Sequence, residues 1–357
     1  MPAEAPPLCL VWGPAGHGVT DYGSDVAAAA ARIDPRVRTT AVADLDAALV
    51  AVRAGHRDDA GHTRVHLHAT DRLLGPTLEA AADAVEQLAA ECRLSLTLHD
   101  LPQHSDGTKY DRRVAAYRRF FAAADAVAVN SEHERLLVGE HLAEHLAEVG
   151  EPRVIPLGTR TAAPPTAPAG PGGGDLVVLI AGFVYPGKGH EVALRAATDA
   201  VARLQAAGRP VGRAVVRALG AASPGHDGDV AALDALARER GARFEITGFL
   251  DDAEFAARLR EPGIPVAAHE HVSASRSMLD WIEAGRRPLV VRSRYSEEMD
   301  RLRPETSTLF EPADLADRLA AAWDDPAATR LEPGHSLRPS LDDVAVSYLD
   351  WWNGMPR

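Results

Sequence analysis

AGFVYPGKGHE, residues 181–191, is the stretch on which the reading of this chain turns. An apolar run, residues 176–183, leads into it as a strand, and residues rich in Ala, Leu and Glu follow it as a helix. Between them Gly182, Gly187 and Gly189 leave backbone N–H groups free to face a ligand. The positive end of the helix dipole and the Lys188 ammonium add their potential at the same spot, so a diphosphate is the expected ligand. Gly182 and Gly187-Lys188 also have the spacing of a nucleoside triphosphate P-loop, but Gly189 stands where such a loop needs Ser or Thr to hold magnesium. An ordinary strand-to-helix turn with a solvated lysine is the plain alternative.

Outward from this turn, short apolar runs alternate with helix-like stretches. Before it they cover residues 8–12, 37–42, 64–68, 94–99, 126–130 and 153–156; after residues 176–183 they cover 214–219, 244–248, 264–269 and 288–292. Strands alternating with helices imply parallel sheets, hence an α/β fold of two doubly wound, Rossmann-like domains facing a cleft. TAAPPTAPAGPGGGD, residues 161–175, holds little but small residues, Pro and Gly and reads as a linker. The expected organisation is an N-terminal domain over 1–160, this linker, a C-terminal domain over 176–338, and a tail over 339–357. In the tail Val344, Tyr348 and Trp351 recur at helical spacing and Ser340 or Asp342 can cap the start, so it should be an amphipathic helix docking across the domains.

With 357 residues, two cores are expected. The net charge of −13 opposes a phosphate backbone, which argues against nucleic acid as the main partner. Two cysteines, Cys9 and Cys92, make neither a disulfide framework nor a zinc motif. The N-terminus lacks a basic segment followed by a long apolar one, and no run of about 18 apolar residues occurs, so a cytoplasmic protein is expected.

The ordered set of motifs resembles family 4 of the retaining glycosyltransferases, whose two-Rossmann architecture is called GT-B. TLHDLP with His99-Asp100 looks like the family's His-Asp strand end, VAVNSEHE (127–134) like its strand and Ser-capped helix, and VIPLGT (154–159) like its domain-closing strand. AGFVYPGKGHE is similar to its Gly-Arg and Lys-Gly turn, ITGFLDDAEF to its later glycine strand, and LDWIEAGRRPLVV to its Glu-Ala, Gly and Pro-Val-Val segment. The resemblance implies a nucleotide diphosphate-sugar donor, UDP- or GDP-linked. No cofactor is expected, no metal is required because Lys188 and backbone donors take its place, and the acidic remainder of the chain favours a small soluble acceptor. The resemblance also implies Gly182, Gly187, Lys188 and Gly189 on the diphosphate, Asp280 on the ribose, and His99 on the transferring sugar. Two positions depart from the pattern. Phe183 replaces an arginine that joins the lysine on the diphosphate, leaving Arg217, Arg276 and Arg294 as substitute cations, and Val272 replaces a glutamate near the donor sugar. His269, Glu270, His271, Ser273 and Ser275 lie in the same loop and can offer replacement hydrogen bonds, although Ser273 to Ser277 can equally cap the following helix.

WGPAGHGVTDYGSD, residues 12–25, follows the first strand, and by resemblance it is the acceptor-side glycine loop. Gly16 and Gly18 would reach toward the donor, and His17 and Thr20 toward the acceptor. His66 and His68 share one face of a strand with Asp71 nearby; no third ligand completes a metal site, so they are read, with Asp100, as acceptor-pocket residues. Arg112, Arg113, Arg118 and Arg119 flank aromatic residues in one helix, and a solvated helix is favoured there over a membrane surface. The expected activity is sugar transfer. A sugar-nucleotide epimerase or hydrolase of the same fold, and a non-catalytic nucleotide-sugar-binding relative, are the alternatives.

Overall fold

In the first unit of the fold, six parallel strands lie in the order β2-β1-β3-β4-β5-β6. They are β1 (Leu8–Trp12), β2 (Arg38–Val42), β3 (Thr63–Ala69), β4 (Cys92–Leu98), β5 (Ala126–Val129) and β6 (Arg153–Val154). The helices between them are α1 (Gly18–Ile33), α2 (Leu45–Arg53), α3 (Asp71–Leu74), α4 (Leu78–Ala89), α5 (Tyr110–Ala123) and α6 (Glu132–His141). The computed structural model describes residues 5–57, 61–143, 149–165, 174–270, 272 and 274–355.

All seven residues of β3 are buried, as in a strand covered on both faces. Val65, Leu67 and Ala69 join the main apolar core with Leu94, Leu96 and Leu98 of β4. The alternate residues face the other way, where the C-terminal helix α13 (Leu341–Asn353) covers them. His66 there lies 5.4 Å from the Tyr348 ring and 5.2 Å from that of Trp352, and the Arg64 guanidinium bonds the Trp352 carbonyl. Ser340 starts α13 with a capping box closed by Asp343. The tail therefore packs as part of the first unit, which comprises Met1–Gly158 and Pro339–Arg357.

The second unit, Thr159–Arg338, contains the order β12-β11-β10-β7-β8-β9, again all parallel. Its strands are β7 (Gly174–Ala181), β8 (Val211–Leu219), β9 (Arg243–Ile246), β10 (Ile264–Ala267), β11 (Leu289–Val291) and β12 (Thr308–Phe310). Its helices are α7 (His190–Ala206), α8 (Asp227–Glu239), α9 (Asp252–Arg258), α10 (Arg276–Glu283), α11 (Arg294–Leu302) and α12 (Leu315–Asp324). Of the expected linker, residues 166–173 lie outside the described residues; its start is tied into this unit, because Leu337 N donates to Ala162 O and the Thr159 hydroxyl to Leu337 O.

Both sheets change winding direction once, between β1 and β3 in the first and between β7 and β10 in the second. Loops leaving the carboxyl ends of such paired strands diverge and leave a crevice for a ligand. The glycine turns of residues 13–18 and 182–189 sit at these two points.

Candidate functional site

In the second unit the turn after β7 is shaped by three left-handed glycines, Gly182 (φ 98°), Gly187 (φ 82°) and Gly189 (φ 93°). A Cβ on Gly189 would come within 2.3 Å of the Ala268 carbonyl, so the turn is pressed against the end of β10. Glu270 N donates to Gly187 O at 2.9 Å and joins the loops that leave the two switch-point strands. α7 then begins at His190 with no side chain capping it, which leaves its N-terminal field for a ligand.

Lys188 folds back over Gly182, whose missing Cβ would lie 3.3 Å from the Lys188 Nζ. The residue is only 5% exposed, and Nζ donates to the Ser277 hydroxyl at 3.4 Å. Burial pushes this amine from its ordinary 10.5 down to about 8, with Asp280 pulling the other way. Two further bases stand behind it. Burial, then Lys188, pushes His190 to about 3, and burial with Lys188 and His190 holds His269 well below the usual histidine range. Neither ring nitrogen of His190 has a partner among the described residues. His190 is a site residue that the motif alone does not single out; its signal is a histidine placed directly after Gly189 at a helix start.

The neighbouring loop accounts for Val272, one of the two departures. Val272 packs with Ala267, Met278, Val290, Tyr295 and Met299, so its side chain belongs to an apolar cluster. Glu270 is exposed beside Gly187. Ser273 and His271 lie outside the described residues. Ser275 caps α10 through Met278 N at 3.3 Å, the structural role foreseen for it, and its hydroxyl also meets that of Ser277 at 3.2 Å. Asp280 accepts from Arg276 Nε at 2.9 Å, and Arg276 also pairs with Glu283. Burial raises the Asp280 carboxyl, and Arg276 opposes that rise. Arg217 is likewise held by Glu245 at 2.8 Å and Glu261 at 2.9 Å, so neither of these arginines presents an unneutralised charge in place of the missing one. Phe183 is 46% exposed.

In the first unit, Gly16 (φ 84°) binds the Asp21 carboxylate through its amide at 3.0 Å, and Gly18 opens α1. His17 caps that helix, its Nδ1 accepting from Val19 N at 3.3 Å, and burial lowers its basicity first of all. The Thr20 hydroxyl is spent on the Trp12 carbonyl at 3.2 Å. His66 uses both ring nitrogens inside the unit, with Ser95 Oγ at 3.0 Å and Thr97 Oγ at 3.3 Å, and Thr97 in turn meets Tyr348 at 2.9 Å. In this arrangement His66 offers an acceptor no ring nitrogen.

His99 and His68 form a pair, His99 Nε2 to His68 Nδ1 at 3.0 Å. The Asn130 amide nitrogen serves Leu98 O at 3.1 Å, Glu134 at 3.1 Å and His99 Nδ1 at 3.2 Å. Because that nitrogen donates, His99 Nδ1 accepts, and the ring proton rests on Nε2, facing His68. Burial pushes His99 to about 3, so both nitrogens of a neutral ring are occupied within the unit rather than directed at a sugar. Asp71 is buried and paired with Arg113 at 2.9 Å, and Asp100 follows His99 with its carboxylate at the surface.

The arginine-rich helix is α5, and three of its four arginines are matched by carboxylates from neighbouring elements. Arg112 pairs with Glu79 at 2.9 Å, Arg119 with Asp83 at 2.5 Å and Glu86 at 2.6 Å, and Arg113 is buried among aspartates. Among the described residues no group of three His, Cys, Asp or Glu can hold a metal, and no helix is long and apolar enough to cross a membrane.

No protein-family profile and no curated sequence matches the chain. Solved structures do. Anabaena HepE in complex with UDP and glucose is similar over 98% of this chain and 97% of its own, with a TM-score of 0.60 at 15% identity. Sucrose-phosphate synthase from Thermosynechococcus elongatus is similar over 97% and 94%, with a TM-score of 0.62 at 15% identity. TarM is similar over 81% of this chain and half of its own, with a TM-score of 0.50 at 12% identity. At such identities the likeness is one of fold, and it establishes the expected pair of Rossmann-like sheets as the GT-B architecture of these proteins.

Proposed function

We propose that this chain is a glycosyltransferase that moves a sugar from a nucleotide diphosphate-sugar, UDP- or GDP-linked, to a small soluble acceptor, with retention and without a bound metal. The observation that carries the reading is Lys188, buried over a glycine turn at the uncapped start of α7 and at the switch point of its sheet. A cation in so dry a place is costly unless an anion repays it, and the leaving diphosphate is an anion whose charge grows during transfer. Lys188 and the amides of Gly189 and α7 stabilise that charge, Asp280 receives the ribose hydroxyls, and Ser275 acts through Ser277 on Lys188. Donor preference for UDP is supported by fold neighbours solved with UDP, with UDP and glucose, and with UDP-glucose.

The site is tested by thermal shift with UDP, GDP, ADP and TDP, followed by UDP release from UDP-glucose. Stabilisation by UDP or GDP that disappears in Lys188→Ala supports the site; no shift with any of the four removes it. A second reading, a nucleotide-sugar-binding protein without catalysis, draws on Val272 packed inward and His99 closed off by Asn130 and His68. Nucleotide binding with no sugar release under any acceptor would favour it.

A further inference from the structure

At the carboxyl end of β4 three consecutive carbonyls are captured by side chains from elsewhere in the first unit. Asn130 Nδ2 donates to Leu98 O at 3.1 Å. The Tyr117 hydroxyl lies 2.9 Å from His99 O and 3.1 Å from Asp100 O. Arg113 also donates to Asp100 O. Tyr117 is fully buried and Arg113 is 7% exposed, and Arg113 further holds Asp71 at 2.9 Å and Asp106 at 2.7 Å.

The last of the three residues is left in a conformation that L side chains avoid. Asp100 has φ 52° and is one of two non-glycine residues with positive φ among the described residues. Such conformations persist where the surroundings over-determine them, and they gather at functional sites. Here the outcome is a displayed carboxylate. The Asp100 side chain is 63% exposed; Oδ2 takes Arg113 at 3.1 Å, and Oδ1 has no partner among the described residues. It stands next to His99, whose ring lies within electrostatic reach of His17 in the glycine turn after β1.

The surrounding charge selects what can dock there. Burial first of all raises the Asp100 carboxyl; among the charges, Arg113 and Arg72 lower it and Asp71 and Asp106 raise it, so two cations face three carboxylates, Asp100 included. A phosphate brought to this rim meets no surplus positive charge, whereas a hydroxyl donates readily to a carboxylate.

We propose that Asp100 binds the acceptor, that Arg113 and Tyr117 are the positioning residues that hold it in its left-handed conformation, and that the acceptor is a phosphate-free polyol. This rests on the transferase reading above. Asp100→Ala and Asp100→Gly lose the same carboxylate, but glycine alone tolerates the backbone, so the glycine variant should melt about 2–4 °C above the alanine variant. In wild type, UDP release from UDP-glucose should be faster with glycerol or glucose than with glucose 6-phosphate. Asp100→Asn, which tolerates positive φ but lacks the charge, should raise the KM for that polyol about tenfold while UDP affinity holds. Equal melting of the alanine and glycine variants overturns the proposal. So does a preference for glucose 6-phosphate, an unchanged polyol KM in Asp100→Asn, or UDP binding without release in glycerol or glucose. Failure of wild type to bind UDP at all instead removes the transferase reading, and this proposal with it.

Discussion

Replacing Lys188 with methionine should make the empty protein more stable and blind to nucleotide. The displacement of the amine from 10.5 to about 8 by burial corresponds to about 3 kcal/mol of cost for keeping it charged at pH 7. Methionine has nearly the same reach and no charge, and the one hydrogen bond it forfeits, to Ser277 at 3.4 Å, is long. For a unit of this size, about 3 kcal/mol moves the melting temperature by about 6–12 °C. The folded protein binds fewer protons here than the unfolded chain between pH 8 and 10.5, so stability gained from Lys188 deprotonation rises through that window. The advantage of Lys188→Met should therefore be full at pH 7 and shrink to about 1 kcal/mol near pH 10. Differential scanning fluorimetry at both pH values, without ligand and with UDP at about 100 times its Kd, separates the two effects. Wild type gains about 2.7 kcal/mol from UDP at that ratio and Lys188→Met should gain almost none. A variant that melts below wild type at pH 7, or that keeps the UDP shift, refutes the reasoning.

Other expectations follow from the same geometry. Gly189→Ala should cost about 2 kcal/mol or more, because its Cβ meets the Ala268 carbonyl at 2.3 Å in a left-handed backbone; a melting curve like wild type would show that the turn gives way. UDP affinity should decline above about pH 8, as the free protein loses the Lys188 proton, and titration calorimetry across pH 7 to 9.5 checks this; a flat profile rules out a charged Lys188 in binding. Asp280→Asn should weaken UDP binding about tenfold, which corresponds to about 1.4 kcal/mol, and an unchanged Kd would take the ribose away from Asp280. Trp352→Ala should destabilise the first unit by about 3–5 kcal/mol, since the ring is buried against His66; a loss below 1 kcal/mol in denaturant titration contradicts that packing.

Most strands were legible in the sequence because buried parallel strands are apolar along their length. β1 covers the expected residues 8–12, and the other anticipated strands differ by a few residues at their ends. Thr308–Phe310 was missed; this three-residue edge strand carries too short a pattern to stand out beside Glu305, Thr306 and Ser307. The lysine turn was legible because glycine, lysine and helix start are local. What the loops do with their side chains was not. Nothing near Val272 announces that it turns toward Met278 and Tyr295, and nothing near His99 announces that Asn130, 31 residues later, and His68, 31 earlier, occupy its ring. The strand periodicity did place His66 and His68 on one face, but the helix that covers that face arrives almost 280 residues later, so burial could not be inferred locally.

That late arrival has a consequence for how the protein is made. Gly158 leaves the first unit and Ser340 re-enters it side by side, close enough that a Cβ on Gly158 would sit 2.9 Å from the Ser340 carbonyl. The second unit is thus an insertion in the first. During synthesis the second unit emerges complete while the first still lacks α13, and the polar face of β3 with His66 and His68 stays unsealed until Tyr348 and Trp352 have left the ribosome. The domain begun first is finished last, and a chain released early would carry an open histidine-lined sheet face.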